Sequence, residues 1–463
     1  MKVAVYYSND DVRIEERPVP RIKDGEILVR MMACGICGTD LMQWYRTQKA
    51  PRVLGHEMAG EIVETGSGVK GFRQGDRVFV SHHVPCYRCH YCIAGNYTAC
   101  ESLHTGNYDP GGFSEYIRVP EENVDFGTFI LPAEMSYEDA AMIEPLACVV
   151  SGQKELGLKK GQTVLVIGSG ISGLLHLQMA KLKGASVVAT DISPYRLGKA
   201  LAFGADRVFK AEEYSADRLK ALNNGTLAER VIVCAGAKQA LDHGISSVDR
   251  RGKILFFAVS ESDLTIPSVR FWRDEIGIGF SYGASPEDIR EAIRLIQNGM
   301  VDVRRMVTHR VPLSDILSGF KLASRGGESL KVIVVPDSTA ESGQAGRDMY
   351  PESESPVDME KALSLFDNDK EFFREMCRKF LDSVPQQVDK LSAAAMTGNA
   401  ELVELYAHGI KGAASNLQAM KTCSLARCIE DRGRDGQITD VPLLIEDLRL
   451  ELARLEHFVR TMK

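Results

Sequence analysis

The stretch VLVIGSGISG, residues 164–173, decides the fold of the middle of this 463-residue chain. Four apolar residues typical of a buried strand run directly into a glycine-rich turn, and helical sequence follows. The alternation of strand and helix continues over residues 161–281, which predicts a parallel doubly wound sheet of the α/β class. The predicted strands of this sheet are 163–167, 186–190, 230–234 and 253–259.

The glycines of this stretch, Gly168, Gly170 and Gly173, form the pattern Gly-x-Gly-x-x-Gly between a strand and a helix. In that context glycines permit a tight turn and close backbone approach, and the helix N-terminus meets the pyrophosphate of a dinucleotide. The next strand leads to Asp191, where a carboxylate binds a ribose 2′-hydroxyl and repels a 2′-phosphate. The pattern favours NAD over NADP. The alternative is that Asp191 caps a helix and never touches the nucleotide. The nearby cation Arg196 leaves this alternative open.

The sequence on either side of this sheet has a different character. Residues 1–145 are rich in glycine, short apolar runs and turn pairs, which favours strands and loops. We expect a β-rich domain over 1–150, completed by about 286–336, and a nucleotide-binding domain over 151–285. Residues 337–356, DSTAESGQAGRDMYPESESP, are small, acidic and proline-rich and predict a linker. Residues 357–463 have helical periodicity throughout, which predicts an all-α helical bundle.

The composition is that of a globular protein in an aqueous compartment. Apolar residues make up 44% and charged residues 26% of the chain, and the net charge of −7 offers no basic surface to nucleic acid or to an anionic membrane. No apolar run reaches the roughly 18 residues of a membrane span, and the N-terminus lacks the pattern of a secretory signal. We therefore expect a cytoplasmic protein whose clustered cysteines bind metal rather than form disulfides.

Four cysteines lie in one loop, PCYRCHYCIAGNYTAC, over residues 85–100. The spacing Cys-x2-Cys-x2-Cys-x7-Cys lets four thiolates converge without help from the rest of the fold, which predicts a closed tetrahedral zinc site. Ordinary buried or disulfide-bonded cysteines are the alternative, but a polar, tyrosine-rich loop is poor core material. The predicted ligands are Cys86, Cys89, Cys92 and Cys100.

A second group of motifs is dispersed along the first 150 residues. The motifs are CGICGTD (34–40), GHE (55–57), GDRV (75–78), GGFSEY (111–116) and IEPLA (143–147). Together with the cysteine loop, their order and spacing resemble the zinc-containing medium-chain dehydrogenase family, and most closely its polyol and threonine dehydrogenase branch. The resemblance covers residues 1 to about 336.

This resemblance implies a GroES-like catalytic domain beside a Rossmann domain. It implies a catalytic zinc bound by Cys37, by His56 and by one carboxylate, either Glu144 or Glu57, with a position open for an alcohol oxygen. Hydride then passes from a secondary alcohol, a polyol or an amino alcohol to NAD. With the cysteine loop this makes two zinc ions per chain, and we expect a homodimer or a homotetramer.

The same resemblance implies roles for two residues next to Cys37. Thr39 accepts the substrate proton, and Asp40 orients the ligand histidine. Members of the family commonly have a histidine five residues after the ligand cysteine, at the outer end of the proton relay, whereas this chain has Met42 there. A thioether cannot transfer protons, so proton release must follow another route.

The C-terminal helical region contains YAHGIKGAASNLQA, residues 406–419. At about 100° per residue, His408 shares a helix face with Lys411 and Gly412, opposite the apolar residues, so we expect its imidazole to face solvent. Such an imidazole, beside a cation and a gap in side-chain bulk, is suited to accept a phosphoryl group. The pattern resembles a histidine phosphotransfer domain over about 357–462, although Gln418 replaces the glycine usual before Ala419.

This second resemblance implies that His408 is phosphorylated, that Lys411 offsets phosphoryl charge, and that Gly412 leaves room for the receiver domain of a two-component system. The sequence shows no kinase segment or receiver, so the phosphoryl group must come from another protein. Two functions fit the chain. One is an active dehydrogenase tethered to a phosphorelay. The other is a sensor that binds NAD or a metabolite and controls phosphotransfer, in which Met42 replaces the relay histidine because catalysis has been lost.

Overall fold

The computed structural model describes residues 1–261, 263–337, 357, 362–363, 369–436, 438 and 441–461, with some side chains of the last two helices left out. The chain divides into two compact units, Met1–Asp348 and Met349–Lys463. The predicted linker 337–356 lies outside the described residues except for Asp337. The finer domain limits near residues 150 and 285 stay predictions.

The first unit combines strands with mostly short helices. Its described strands are β1 (Lys2–Ser8), β2 (Asp11–Glu16), β3 (Ile27–Gly35), β4 (Arg52–Val53), β5 (Glu57–Thr65), β6 (Arg77–Val80), β7 (Tyr116–Val119), β8 (Thr128–Ile130), β9 (Thr163–Ile167), β10 (Ser186–Asp191), β11 (Arg207–Lys210), β12 (Ala228–Val233), β13 (Val248–Phe256), β14 (Gly277–Phe280), β15 (Val307–Pro312) and β16 (Lys331–Val335). Its described α-helices are α1 (Gln43–Arg46), α2 (His90–Ile93), α3 (Glu101–Thr105), α4 (Glu121–Gly127), α5 (Tyr137–Ala141), α6 (Ile143–Leu156), α7 (Ile171–Leu182), α8 (Pro194–Ala202), α9 (Ala216–Leu222), α10 (Lys238–Ser247), α11 (Ser268–Arg273), α12 (Pro286–Gln297) and α13 (Ile316–Arg325).

Strands β9 to β14 form a parallel sheet in the order β11-β10-β9-β12-β13-β14. The strand order reverses between β9 and β12, and in such sheets the reversal opens a crevice at the carboxyl ends of the strands. Helices connect the successive strands, as the alternating sequence pattern requires. The predicted α/β class with a parallel doubly wound sheet is therefore confirmed.

The strand limits differ from the predicted ones in detail. β9 has the predicted limits, and β10 runs one residue further, to Asp191. The predicted strand at 253–259 is wrong at both ends, since β13 begins at Val248 and stops at Phe256, opposite the last residue of β12, Val233. The strands β11 and β14 are not predicted from the sequence, because a run of four residues is too short to show strand periodicity.

A second sheet carries the dispersed motifs, with the order β15-β16-β3-β5-β6-β8 and β7 also paired to β3. β15 and β16 follow the parallel sheet in the chain, yet β16 pairs with β3. β3 and β5 are antiparallel, and their register places Gly35 opposite Glu57. This pairing brings the CGICGTD and GHE motifs to the same end of two neighbouring strands.

The second unit is a bundle of helices, α14 (Lys370–Met396), α15 (Ala400–Asn416), α16 (Met420–Arg434) and α17 (Val441–Thr461). α15 packs against α14 and α16, and α17 contacts the same two helices. On α15, Val403, Ile410 and Ala414 are buried in the core of the bundle, whereas His408 is exposed. The predicted helix face is therefore correct. No helix in the described part of the chain combines the length and apolarity needed to cross a membrane.

Gly173 is required by close packing between the glycine turn and α7. A Cβ at Gly173 would lie 1.8 Å from the carbonyl oxygen of Gly168, whose φ is +92°. We expect Gly173→Ala to lower the free energy of unfolding by roughly 1–3 kcal/mol and to weaken NADH binding, measured by urea titration and by NADH fluorescence. Gly198→Ala is the matched control, because nothing lies within 4 Å of a Cβ at this helical position. It should be neutral or stabilise by up to about 1 kcal/mol, and equal losses in the two variants would contradict this packing argument.

Candidate metal, nucleotide and phosphotransfer sites

The sulfur atoms of the four loop cysteines lie within 4.8 Å of one another. α2 begins directly after Cys89, and the backbone N–H of Cys86 donates to Cys100 Sγ at 3.3 Å. Burial opposes ionisation of Cys100, but the backbone N–H groups of Cys86 and Leu103 lower the pKa of its thiol to about 6. Four free thiols held together in this way form a suitable tetrahedral ligand set for zinc.

The dispersed motifs form a second group of metal ligands beside the β3–β5 pair. Cys37 is the N-cap of a 3-10 turn, Gly38–Leu41, that follows β3, and Glu57 begins β5. One ligand atom from each of Cys37, His56 and Glu57 lies within 4.8 Å of the others. A thiolate, an imidazole and a carboxylate at this separation resemble catalytic zinc sites, in which three protein ligands leave a position for substrate.

A buried ion pair holds Glu57. Its Oε2 lies 2.5 Å from Lys331 Nζ, and Lys331 also donates to the carbonyl of Ile36 at 3.3 Å. Glu57 Oε1 is buried and has no hydrogen-bond partner among the described residues. Gly35 allows this arrangement, since a Cβ there would lie 1.9 Å from Glu57 Oε2. A metal ion beside Cys37 would satisfy the orphaned oxygen, so the residues present fit zinc.

Glu144 is not part of this group. It lies in the first turn of α6 and accepts a hydrogen bond from Cys148 Sγ at 3.4 Å. Burial raises the pKa of its carboxyl group. Of the two carboxylates that the sequence leaves open, the geometry brings Glu57 rather than Glu144 to Cys37 and His56.

Thr39 and Asp40 contact the ligand side chains. Thr39 Oγ1 lies 3.3 Å from Cys37 Sγ and 3.5 Å from His56 Nε2. Asp40 is fully buried, and its Oδ1 lies 3.5 Å from His56 Nδ1. Burial opposes its charge, but His56 and Arg46 hold the pKa of the Asp40 carboxyl below its usual range. Both residues lie where a proton acceptor and an orienting carboxylate are needed.

Arg46 belongs to this site although no sequence signal identifies it. Its Nε donates to the carbonyl of Thr39 at 2.8 Å, and its Nη2 donates to Thr39 Oγ1 at 3.0 Å. The Arg46 side chain is only 15% exposed. The backbone N–H of Arg46 donates to the carbonyl of Met42, so the single turn of α1 carries the side chain back over Thr39. That turn, and not a motif, positions the cation.

The glycine turn joins β9 to α7, with Gly170 as the N-cap of α7. Asp191, at the end of β10, accepts hydrogen bonds from the backbone N–H groups of Ser169 at 2.7 Å and Ser193 at 2.8 Å. The N-cap of α8 is Ser193, whose hydroxyl accepts from the backbone N–H of Arg196. Asp191 is therefore tied to the glycine turn and is not the cap of α8.

The guanidinium of Arg196 also lies beside the glycine turn. A Cβ at Gly170 would lie 4.0 Å from Arg196 Nη1, and a Cβ at Gly326 would lie 3.2 Å from Nη2. Arg196 Nε is buried and has no hydrogen-bond partner among the described residues. A cation with an unpaired donor at this crevice is suited to a phosphate or ribose oxygen.

In the second unit, a buried carboxylate of α16 lies beneath His408. Glu430 Oε1 accepts from His408 Nδ1 at 2.7 Å, and Glu430 Oε2 accepts from Lys411 Nζ at 2.5 Å. The Glu430 side chain is 4% exposed, against 67% for His408. Burial opposes the charge of Glu430, but the hydrogen bonds from Lys411 and His408 lower the pKa of its carboxyl. Arg434 Nη2 lies 3.2 Å from Glu430 Oε1 and completes this cluster.

Gly412 leaves open space beside His408, since nothing lies within 4 Å of a Cβ built there. The sequence analysis identifies His408, Lys411 and Gly412 but misses Glu430 and Arg434. These two residues lie on a different helix, and only the packing of α16 on α15 brings them to the histidine. No spacing within one helix could have revealed them.

A dinucleotide-type parallel sheet together with a Cys–His–Glu group defines the first unit as a metal- and nucleotide-dependent oxidoreductase. Comparison with known families gives three matches: the alcohol dehydrogenase GroES-like domain at residues 23–125, the zinc-binding dehydrogenases at 172–298 and the Hpt domain at 375–458. The chain belongs to the zinc-binding dehydrogenases and carries a C-terminal Hpt domain.

Individual relatives agree with this assignment. The sorbitol dehydrogenase of Bacillus subtilis (strain 168) is 33% identical over 352 residues, which cover 73% of this chain and 98% of the relative. The crystal structure of galactitol-1-phosphate dehydrogenase from Escherichia coli is 29% identical, with a TM-score of 0.66 over 73% of this chain and 100% of that one. A putative zinc-binding dehydrogenase from Sinorhizobium meliloti 1021, solved bound to NADP, is 27% identical, with a TM-score of 0.64 over 72% and 99%.

These comparisons confirm both predicted resemblances and the predicted fold class, with its GroES-like and Rossmann parts and its helical bundle. They also confirm the class of enzyme, a zinc dehydrogenase that uses a nicotinamide cofactor. The roles of individual side chains stay predictions.

Proposed function

We propose that this chain is a zinc-dependent, NAD-linked polyol dehydrogenase fused to a phosphotransfer module that accepts phosphate on His408. The convergence of Cys37, His56 and Glu57, with Glu57 Oε1 buried and unpaired, carries the dehydrogenase half. The relatives named sorbitol dehydrogenase and galactitol-1-phosphate dehydrogenase support a polyhydroxy substrate.

Catalysis is assigned to residues around this group. Cys37, His56 and Glu57 would hold zinc, which supplies a Lewis acid for the alcohol oxygen. Thr39 Oγ1 accepts the alcohol proton while hydride leaves the carbinol carbon for the nicotinamide ring. Arg46 fixes the Thr39 hydroxyl through its hydrogen bond of 3.0 Å. Because Met42 offers no acid–base group, the proton leaves Thr39 through water.

NAD is the proposed nucleotide. Gly168, Gly170 and Gly173 allow the pyrophosphate to approach the start of α7. Asp191, beside that turn, would accept hydrogen bonds from the ribose hydroxyls and repel a 2′-phosphate. Arg196 would bind a neighbouring ribose or phosphate oxygen with the donors that the protein leaves unpaired.

In the second unit, His408 Nε2 is the proposed phosphate acceptor. Glu430 accepts the Nδ1 hydrogen, which leaves the lone pair on Nε2 of an exposed ring. The P–O bond to the aspartate of a partner receiver domain breaks as the new N–P bond forms. Lys411 and Arg434 offset the incoming charge, and Gly412 leaves space for the receiver.

A homodimer or homotetramer is the proposed assembly of the dehydrogenase unit. β14 is an edge strand of the described parallel sheet. Its Phe280 side chain is 68% exposed, and Trp272 of the preceding α11 is 82% exposed. Large exposed aromatic residues beside an open sheet edge favour pairing with a second copy.

Two zinc ions per chain follow from the two ligand groups. Cys37→Ser should leave a folded, inactive protein with one zinc, whereas Cys89→Ser should destabilise the protein, because only the four-cysteine site is a closed structural one. Zinc content is measured by mass spectrometry and folding by circular dichroism. Cys428→Ser is the control, since this exposed thiol lies outside both groups. A wild-type protein with one zinc would remove one of the two assignments.

Polyol oxidation should prefer NAD over NADP by at least about tenfold in kcat/KM, or roughly 1.4 kcal/mol. Asp191→Ala should lower the ratio of kcat/KM with NAD to kcat/KM with NADP, because it removes the charge that repels the 2′-phosphate. Asp217→Ala, at an exposed carboxylate of α9, should leave it unchanged. A wild-type preference for NADP would contradict the role of Asp191. NADH binding without turnover of any polyol would favour the alternative of a sensor.

His408 should accept radiolabelled phosphate from a phosphorylated receiver domain. His408→Gln should abolish labelling with no change in dehydrogenase activity, and Lys411→Ala should slow labelling without preventing it, since a cation assists the transfer but does not accept the phosphate. Lys379→Ala is the control, because in the described part of the chain Lys379 pairs with Glu375 on the exposed face of α14, away from His408 in the sequence. Label that persists in His408→Gln would disprove the assignment.

A further inference from the structure

Arg46 presents an unpaired donor edge within the catalytic site. Its Nε and Nη2 are anchored on the carbonyl and hydroxyl of Thr39 at 2.8 and 3.0 Å. Among the described residues, no protein group accepts a hydrogen bond from Nη1, and Nη1 is not among the buried atoms that lack a partner. The guanidinium is thus fixed on one side and open to solvent on the other.

The guanidinium lies beside the position of the reacting alcohol, because its Nη2 lies 3.0 Å from the Thr39 hydroxyl and Nη1 is bonded to the same carbon atom as Nη2. The Thr39 hydroxyl that receives the Arg46 hydrogen bond lies 3.3 Å from Cys37 Sγ and 3.5 Å from His56 Nε2. Any alcohol that gives its proton to Thr39 while facing those ligands must therefore lie next to the guanidinium. A neighbouring group of the same substrate molecule can then reach Nη1.

The charge of Arg46 is only partly compensated by the protein. The carboxylate oxygen paired with Arg46 is Asp40 Oδ1, at 3.6 Å from Nη2. The same oxygen lies 3.5 Å from His56 Nδ1, so Arg46 shares it with the imidazole. The guanidinium also lies over the ring of Tyr45, at 5.2 Å from its centroid. A neutral polyol would leave the open side of this cation facing hydroxyl groups alone.

We propose that Arg46 is a specificity residue that binds an anionic group of the substrate, a carboxylate or a phosphate, carried near the reacting carbinol. Guanidinium donors match the paired oxygens of both groups, and charge-assisted hydrogen bonds are about twice as strong as neutral ones. The substrate class is then a sugar acid or a polyol phosphate rather than a neutral polyol. This inference rests on the proposed dehydrogenase function and narrows its substrate.

The test measures kcat/KM with NAD for three substrates of equal chain length: an aldonate, an alditol phosphate and the neutral alditol. The full wild-type chain should prefer one anion over the alditol by at least about tenfold, and the preferred one tells carboxylate from phosphate. Arg46→Gln should remove that preference through a roughly 10- to 100-fold loss in kcat/KM on the anion, expressed mainly in KM. This loss adds to any fall in kcat that all three substrates share because Thr39 loses its hydrogen bond. Arg46→Lys should restore part of the preference for the anion, because an ammonium keeps the positive charge but lacks the paired N–H donors of a guanidinium.

Lys49→Gln is the matched control, since this cation lies over the same Tyr45 ring at 5.2 Å but makes no contact with Thr39. It should leave the preference intact. Equal use of all three substrates by the wild type, or an equal loss on all three in Arg46→Gln, would overturn the proposal and limit Arg46 to holding Thr39. A weaker affinity for NADH with the preference unchanged would assign the guanidinium to the nucleotide and overturn it as well.

If no substrate turns over, the proposed dehydrogenase function fails. Calorimetry then measures the binding of the same three compounds to the zinc-loaded chain and tests the anion subsite at Arg46 separately. An anion that binds at least about tenfold more tightly than the alditol, and loses this advantage in Arg46→Gln, supports the subsite. Anions that bind no better than the alditol overturn it.

Discussion

The metal site depends on the buried ion pair between Glu57 and Lys331. Two charges whose side chains are at most 2% exposed would each cost several kcal/mol in desolvation if they were not paired. Glu57 begins β5 and Lys331 begins β16, and both strands are neighbours of β3, so the pair ties together the two sides of the strand that leads to Cys37. With one carboxylate oxygen on the ammonium, the other is buried and has no hydrogen-bond partner among the described residues. Gly35, opposite Glu57, makes room for this arrangement.

A buried carboxylate lies beside an imidazole Nδ1 in both units, at different distances. In the first, Asp40 lies 3.5 Å from His56 Nδ1, and His56 Nε2 is directed to the Thr39 hydroxyl and the metal group. In the second, Glu430 lies 2.7 Å from His408 Nδ1, and the ring is exposed. A hydrogen bond from Nδ1 to a carboxylate, as at Glu430, places the lone pair on Nε2. The surroundings of the two rings differ, since other potential metal ligands lie beside His56, whereas the His408 side chain is 67% exposed.

Features carried by neighbouring residues could be predicted from the sequence. The glycine turn, the cysteine loop and the face of α15 that presents His408 each follow from spacings of a few residues. The choice between Glu57 and Glu144 could not be made, because it depends on the register of β3 against β5. Arg46 and Glu430 are ordinary charged residues in the sequence, and a helical turn and a helix–helix contact give them their positions. The short strands β11 and β14 were missed because the sheet, rather than their own composition, makes them strands.

The two units have separate hydrophobic cores, one set within residues 3–334 and the other within 357–459. A tether alone raises the effective concentration of one unit near the other, but it does not make the state of one depend on the state of the other. The two units are coupled only if they interact and a change in one alters the free energy of that interaction. The change would be phosphorylation in the helical bundle or nucleotide binding in the dehydrogenase unit. By reciprocity, any effect of phosphate on NADH affinity must equal the effect of NADH on the phosphorylation equilibrium. A fusion without such an effect would still place a zinc-binding dehydrogenase and an Hpt domain in the same molecule, so that both are present in equal amounts wherever the chain is made.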